Sequence, residues 1–165
     1  MSVIFAILIS SAVCVISAML EGLFAGKGVK TFMANLRSPS YAPPFWVWII
    51  IGAFYYVISF FISYRVLRHS GDGHLRAASL TLLLAMMSIN AIWNYVFFRL
   101  QNLFLSFFAF IPYPLLAIAL FVCLLQFEPL AAWVFLPYLA YLNYAAFICY
   151  KYWKLNVNRD ESVAN

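Results

Sequence analysis

Two asparagines and a tryptophan set within a long run of apolar residues are the side chains of this chain whose chemistry most needs a partner. Met86, Asn90, Trp93, Asn94 and Phe97 recur at offsets of 0, 4, 7, 8 and 11, which places them on one face of a helix. An amide surrounded by hydrocarbon is costly when unpaired, so this face must look into protein, a cavity or a second subunit. A buried indole N–H makes the same demand. Two readings follow: the asparagines bond neighbouring helices, or they and Trp93 contact a ligand. A later apolar run places Tyr138, Tyr141 and Ala145 on a common face, with Asn143, Phe147 and Tyr150 pointing away. Those rings are either core with satisfied hydroxyls or the wall of a binding site.

The other residues capable of chemistry carry less. His69 and His74 flank Ser-Gly-Asp-Gly, which spells a turn, and no third ligand stands nearby. They read as a solvated loop. Cys14, Cys123 and Cys149 show neither CxxC nor Cys/His spacing, so they read as small packing residues with no disulfide or metal. No Asp, Glu, Lys or Arg is expected at mid-membrane depth, which argues against a charge-coupled pump.

The elements that must position these residues follow from composition. The chain has 165 residues, 67% hydrophobic and 9% charged, against about 25% charged in an ordinary soluble domain. An all-α integral membrane protein is the consequence. A span needs about 20 mostly apolar residues. Five stretches qualify: Val3 to Leu20, Phe45 to Tyr64, Ala77 to Phe98, Leu103 to Leu125 and Ala131 to Tyr150. The first lacks a basic segment and a cleavage pattern, so it reads as a mature helix rather than a signal. Along it Ala6, Ser10, Cys14, Ala18 and Gly22 recur every four residues, a ridge that would let another backbone approach, within the bundle or between subunits. Pro112 and Pro114 must bend or open the fourth span. Short connections after the third and fourth spans make their neighbours antiparallel and adjacent. No internal repeat is found, and an odd number of spans argues against two-halved transporters. Residues 1–155 form one five-helix domain and 156–165 a polar tail.

The longest connection ends in Leu36-Arg37-Ser38-Pro39-Ser40-Tyr41-Ala42-Pro43-Pro44-Phe45-Trp46-Val47-Trp48. Prolines at 39, 43 and 44 forbid a helix there and stiffen the loop, while Pro44 can still lead into the next helix. Tyr41, Trp46 and Trp48 are rings at home where hydrocarbon meets water. An aromatic lid over the bundle is expected. Lys27, Lys30, Arg37, Arg99, Lys151, Lys154 and Arg159 share one face of a five-span topology, against Arg65, Arg68 and Arg76 on the other. The positive-inside rule makes the lid side cytoplasmic and puts the N-terminus outside. The net charge of +5 is explained by these connections rather than by nucleic-acid binding. A prokaryotic plasma membrane is expected, because no targeting extension precedes the first span.

Three segments together resemble the TspO/translocator protein family, also called the peripheral-type benzodiazepine receptor family. Its first-loop pattern W-Y-x-x-L-x-K-P-x-W-x-P-P is met at Leu36, Pro39, Pro43 and Pro44, with Phe32, Met33, Ser38 and Tyr41 in place of Trp, Tyr, Lys and Trp. Asn90, Trp93, Phe97 and Phe98 meet its N-x-x-W-x-x-x-F-F, and Pro137 and Tyr138 meet its P-Y-x-x-W, with Tyr141 at the tryptophan position. The resemblance implies a five-helix bundle in the lipid bilayer, commonly a homodimer. Its pocket beneath the first loop would bind porphyrins, sterol-like lipids and benzodiazepine-type compounds. A porphyrin or haem-type tetrapyrrole would be a ligand rather than a cofactor. Carried over by position, the pocket residues are Pro43, Asn90, Trp93, Tyr138, Tyr141 and Ala145. The family's sterol motif is not met, because Tyr150 and Lys154 lack a correctly spaced Leu or Val. Light-driven porphyrin degradation is attributed in the family to tryptophans where this chain has Gly52 and Tyr141, which counts against an enzyme. Gly52 should also enlarge or reshape the cavity. The expected function is binding, and transport, of a flat hydrophobic ligand; the alternatives are the photo-oxidative enzyme and a ligand-free assembly protein.

Overall fold

A computed structural model describes residues 1–157, and Arg159 lies outside them. The elements are α1 (Val3–Ala25), α2 (Val29–Ala34), α3 (Phe45–Arg68), α4 (Gly73–Asn94) continued by a π-helical turn (Tyr95–Arg99), α5 (Leu103–Phe110), α6 (Pro112–Phe127) and α7 (Pro129–Leu155). Five helical runs are long and apolar enough to span a membrane: α1, α3, α4 with its π turn, α5 joined to α6, and α7. Their outward faces carry large apolar side chains such as Leu8, Ile16, Val57, Leu115 and Trp133, all exposed. A surface of that kind requires hydrocarbon around it. The all-α, five-span expectation holds, and the protein is an integral, multi-pass membrane protein.

Local chemistry sets the helix ends. The side chains of Ser2, Asp72 and Asn102 accept the free first-turn amides of α1, α4 and α5, the shortest being Asp72 to His74 N at 2.7 Å. Pro44 and Pro129 precede or open α3 and α7 without loss of a hydrogen bond. Gly26, at φ +74°, ends α1 in a conformation that L side chains rarely adopt. The break between α5 and α6 falls at Ile111 and Pro112, as the prolines require.

The spans close into a ring: α1 packs on α3, α3 on α7, α7 on α6, α6 on α4 and α4 back on α1. The half of the ring away from the first loop is packed solid. Ile62, Val66, Leu83, Leu120, Leu124, Ala131 and Ala132 are buried there, the alanines allowing close approach of α6 and α7. Glu128, only 5% exposed, ties that end together. Arg65 Nε donates to its Oε1 at 2.8 Å and His69 Nδ1 lies 2.9 Å from Oε2.

Several expectations are corrected. The first span does not stop at Leu20 but runs to Ala25, so Glu21 lies within it. Of the small-residue ridge, Ala6, Ser10 and Cys14 are buried, whereas Ala18 and Gly22 are exposed. A four-residue step advances about 400°, so such a ridge drifts around the helix. The buried line passes instead to Ser17 and Glu21, which are half-buried. The first connection contains the short helix α2. His69 is not a solvated loop residue but a partner of Glu128, while His74 is exposed in the first turn of α4. No group of metal-binding side chains occurs among the described residues, and the three cysteines are free.

Glu128 bridges α3 to the start of α7 from a buried position, but Arg65 is partly solvated. Replacing Glu128 with Gln should therefore cost about 2 kcal/mol, between the values of exposed and fully buried pairs. A drop of several degrees in the thermal midpoint in detergent checks this, and His69→Gln should lower it less.

Candidate functional site

The half of the ring nearest the first loop is hollow. A cavity of about 210 Å³ lies there, and every element from α1 to α7 contributes to its wall. Its lining is mostly rings, among them Phe45, Trp48 and Tyr55 from α3, Trp93 from α4, Phe110 and Tyr113 from around the α5–α6 break, and Tyr138 and Tyr141 from α7. Gly52 leaves the α3 wall open, since a Cβ built on it would meet nothing within 4 Å. Glu21 and Asn90 supply polarity on the α1–α4 side.

The polar groups are largely spoken for. Asn90 Nδ2 donates to Glu21 Oε1 at 2.7 Å, which ties α4 to α1. Asn94 Nδ2 donates to the Asn90 carbonyl at 2.9 Å, within its own helix rather than to a neighbour. Trp93 Nε1 donates to the Ser106 carbonyl at 3.1 Å, so its ring lines the cavity while its N–H fastens α4 to α5. The Tyr113 and Tyr138 hydroxyls lie 2.9 Å apart; the proline-induced break at the start of α6 brings Tyr113 inward to meet α7. Two donors on α3 differ. Both side chains line the cavity, and the buried Trp48 Nε1 and Tyr55 hydroxyl make no hydrogen bond of good geometry, although Tyr152 lies beside the first and Tyr113 and Ser59 beside the second. Buried polar atoms are nearly always paired, so two that lack a well-formed bond beside one hollow stand out.

The first loop forms the roof. Phe32 and Leu36 are buried against Phe97, Leu103, Ile148 and Tyr152, and Met33 reaches the cavity itself. The π turn contributes here. Its extra residue shifts the helical register after Asn94, and both Phe97 and Phe98 border the cavity. Asn156, assigned from the sequence to the tail, is buried and holds the loop at both backbone atoms of Arg37. It accepts from Arg37 N at 3.0 Å and donates to Arg37 O at 3.0 Å. Tyr144 OH donates to the Tyr41 carbonyl at 3.1 Å, and the Tyr41 ring stacks on Phe147.

Of the residues expected at the site, Asn90, Trp93, Tyr138, Tyr141 and Ala145 border one cavity. Pro43 does not. It belongs to the loop, and the adjoining lining residues are Phe45 and Trp48. Trp46 points outward at 61% exposed, in keeping with an interfacial ring, but Trp48 turns inward. Glu21, Trp48, Tyr55 and Tyr113 were missed by sequence reasoning. The signal for Glu21 was available: it continues the spacing Ser10, Cys14, Ser17, Glu21, the buried line of α1.

The TspO/MBR family model matches residues 10–154. The translocator protein of Sus scrofa is 30% identical over 135 residues, covering 81% of this chain and 79% of its own. The tryptophan-rich sensory protein of Cereibacter sphaeroides is 26% identical, over 79% of this chain and 80% of its own. Protein CrtK of Rhodobacter capsulatus is 23% identical, over 74% and 76%. The matched region takes in the roof loop, all the cavity walls and most of α1 and α7, and the chain belongs to the TspO/MBR family.

Proposed function

We propose that this protein is a membrane receptor for a flat hydrophobic ligand, a porphyrin-type tetrapyrrole above all, taken up beneath the first loop. The observation that carries the reading is the roofed, ring-lined cavity with two buried donors, Trp48 Nε1 and Tyr55 OH, that make no hydrogen bond of good geometry. An apolar pocket with a few convergent polar groups is the usual form of a small-molecule site. The Trp93 and Tyr141 rings would pack on the ligand face, Tyr138 and Ala145 would complete the α7 wall, and Asn90 would act through the carboxyl group that it holds. The names of two relatives, translocator and sensory protein, suit a protein that binds and passes on a small molecule. Sterol-like and benzodiazepine-type compounds would compete for the same space.

At about 210 Å³ the cavity is smaller than the roughly 300–1,000 Å³ of a pocket for a drug-sized ligand. A tetrapyrrole therefore needs the roof to lift, and the Asn156–Arg37 and Tyr144–Tyr41 bonds are the latches that would open. The basic residues of the roof face, Lys27, Lys30, Arg37, Arg99, Lys151 and Lys154, support a cytoplasmic roof in our reading, with a prokaryotic plasma membrane as the proposed location. The exposed end of the α1 ridge, Ala18 and Gly22, offers a close-contact surface for a homodimer.

Titration with protoporphyrin IX should quench tryptophan fluorescence saturably. Gly52→Leu should weaken that binding by at least about tenfold with no loss of thermal stability, because the new side chain grows into empty space. Unchanged affinity in Gly52→Leu would remove this cavity as the site. Asn156→Ala, which deletes hydrogen bonds worth about 1 kcal/mol each, should raise the association and dissociation rates several-fold in stopped-flow measurements.

A further inference from the structure

A carboxyl group inside a membrane span is expensive and is kept where it meets a partner. Glu21 is such a group. It stands within α1 and borders the cavity. No basic side chain pairs with it among the described residues, where the ion pairs found are those of Glu128. What holds it is neutral: the amide of Asn90, at 2.7 Å, with the Tyr56 hydroxyl also beside it. Elsewhere the cavity wall is largely aromatic, with Trp48, Tyr55, Trp93 and Tyr141 among its rings. An anionic oxygen set among aromatic faces is the complement of a cationic nitrogen, since ring faces also attract positive charge. A second observation points to a ligand independently: Tyr55, 3% exposed, lines the same cavity, and its buried hydroxyl makes no hydrogen bond of good geometry with its neighbours Tyr113 and Ser59.

We propose that Glu21 sets the charge preference of the cavity and that the ligand it favours carries a protonated amine. This rests on the receptor reading above but not on its choice of a tetrapyrrole: a porphyrin could enter only with its propionates turned away from Glu21, and an amine-bearing aromatic is the better match. Asn90 is then a positioning residue, which fixes the carboxyl rotamer and leaves the ring walls to hold the apolar body. Ligands with a carboxylate at that end are rejected by the like charge.

Three probes sharing one ring test the idea in zwitterionic phosphatidylcholine nanodiscs: 1-naphthylmethylamine, 1-methylnaphthalene and 1-naphthylacetate, each followed by quenching of tryptophan fluorescence. The full chain should bind the amine about tenfold more tightly than the neutral probe and the carboxylate most weakly. Glu21→Gln should bring the amine within about twofold of the neutral probe, the ratio of the two affinities being the readout. Glu21→Asp, which keeps the charge, should retain the order, and it provides the comparison should the Gln variant fold poorly. Equal binding of the three probes, or an amine preference that survives in Glu21→Gln, overturns the role of Glu21 and leaves the receptor reading standing. Failure of all three to bind overturns the role of Glu21, and the receptor reading falls with it only if protoporphyrin IX also fails to quench the full chain.

Discussion

Hydrocarbon offers no water to a stranded polar atom, and this single constraint organises the bundle from the inside. Each amide and indole on the inner face of α4 is held by another part of the protein: Asn90 by Glu21, Asn94 by the Asn90 carbonyl, Trp93 by the Ser106 carbonyl. These bonds do more than satisfy donors. They fasten α4 to α1 on one side and to α5 on the other, so the wall of the cavity is held by groups that would otherwise be free to meet a ligand. The same rule makes Trp48 and Tyr55 conspicuous, because they alone of the cavity-lining side chains carry buried donors without a hydrogen bond of good geometry among the described residues.

The two halves of the bundle show how composition decides between solid and hollow. Where alanines on α6 and α7 face leucines and isoleucines, helices come close and fill the space between them. Towards the roof, large rings replace small residues, and rings cannot tile a cylinder without gaps. Gly52 removes a further side chain at that level. One helical turn earlier, Trp48 occupies the same α3 face, so the wall keeps an indole beside the opening that Gly52 leaves. The proline-induced break between α5 and α6 adds a second irregularity, which brings Tyr113 against Tyr138.

Much of this was legible in the sequence, because membrane spans announce themselves by length and the face of a helix by its period. Asn90, Trp93, Tyr138, Tyr141 and Ala145, grouped by spacing together with family resemblance, line one hollow. The misses share a cause. Glu21 was treated as the end of a span because charge usually marks the water boundary, whereas here its amide partner on α4 allows the helix to carry it inward. Trp48 was read as an interfacial ring by its neighbours in sequence, but Trp46 faces outward and the helix turns Trp48 the other way. Asn156 looked like tail because it is polar; it is buried because the loop it clamps exposes two backbone groups that need partners. Hydropathy reports how a residue feels about water, not which other residue waits for it across the fold.

The packed lower half has a bearing on traffic. With Ile62, Val66, Leu83, Leu120 and Leu124 filling the axis below the rings, the hollow is a blind-ended cup rather than a tube. A cup exchanges its contents through its mouth or through a seam in its side, and in this conformation it conducts nothing from one aqueous compartment to the other.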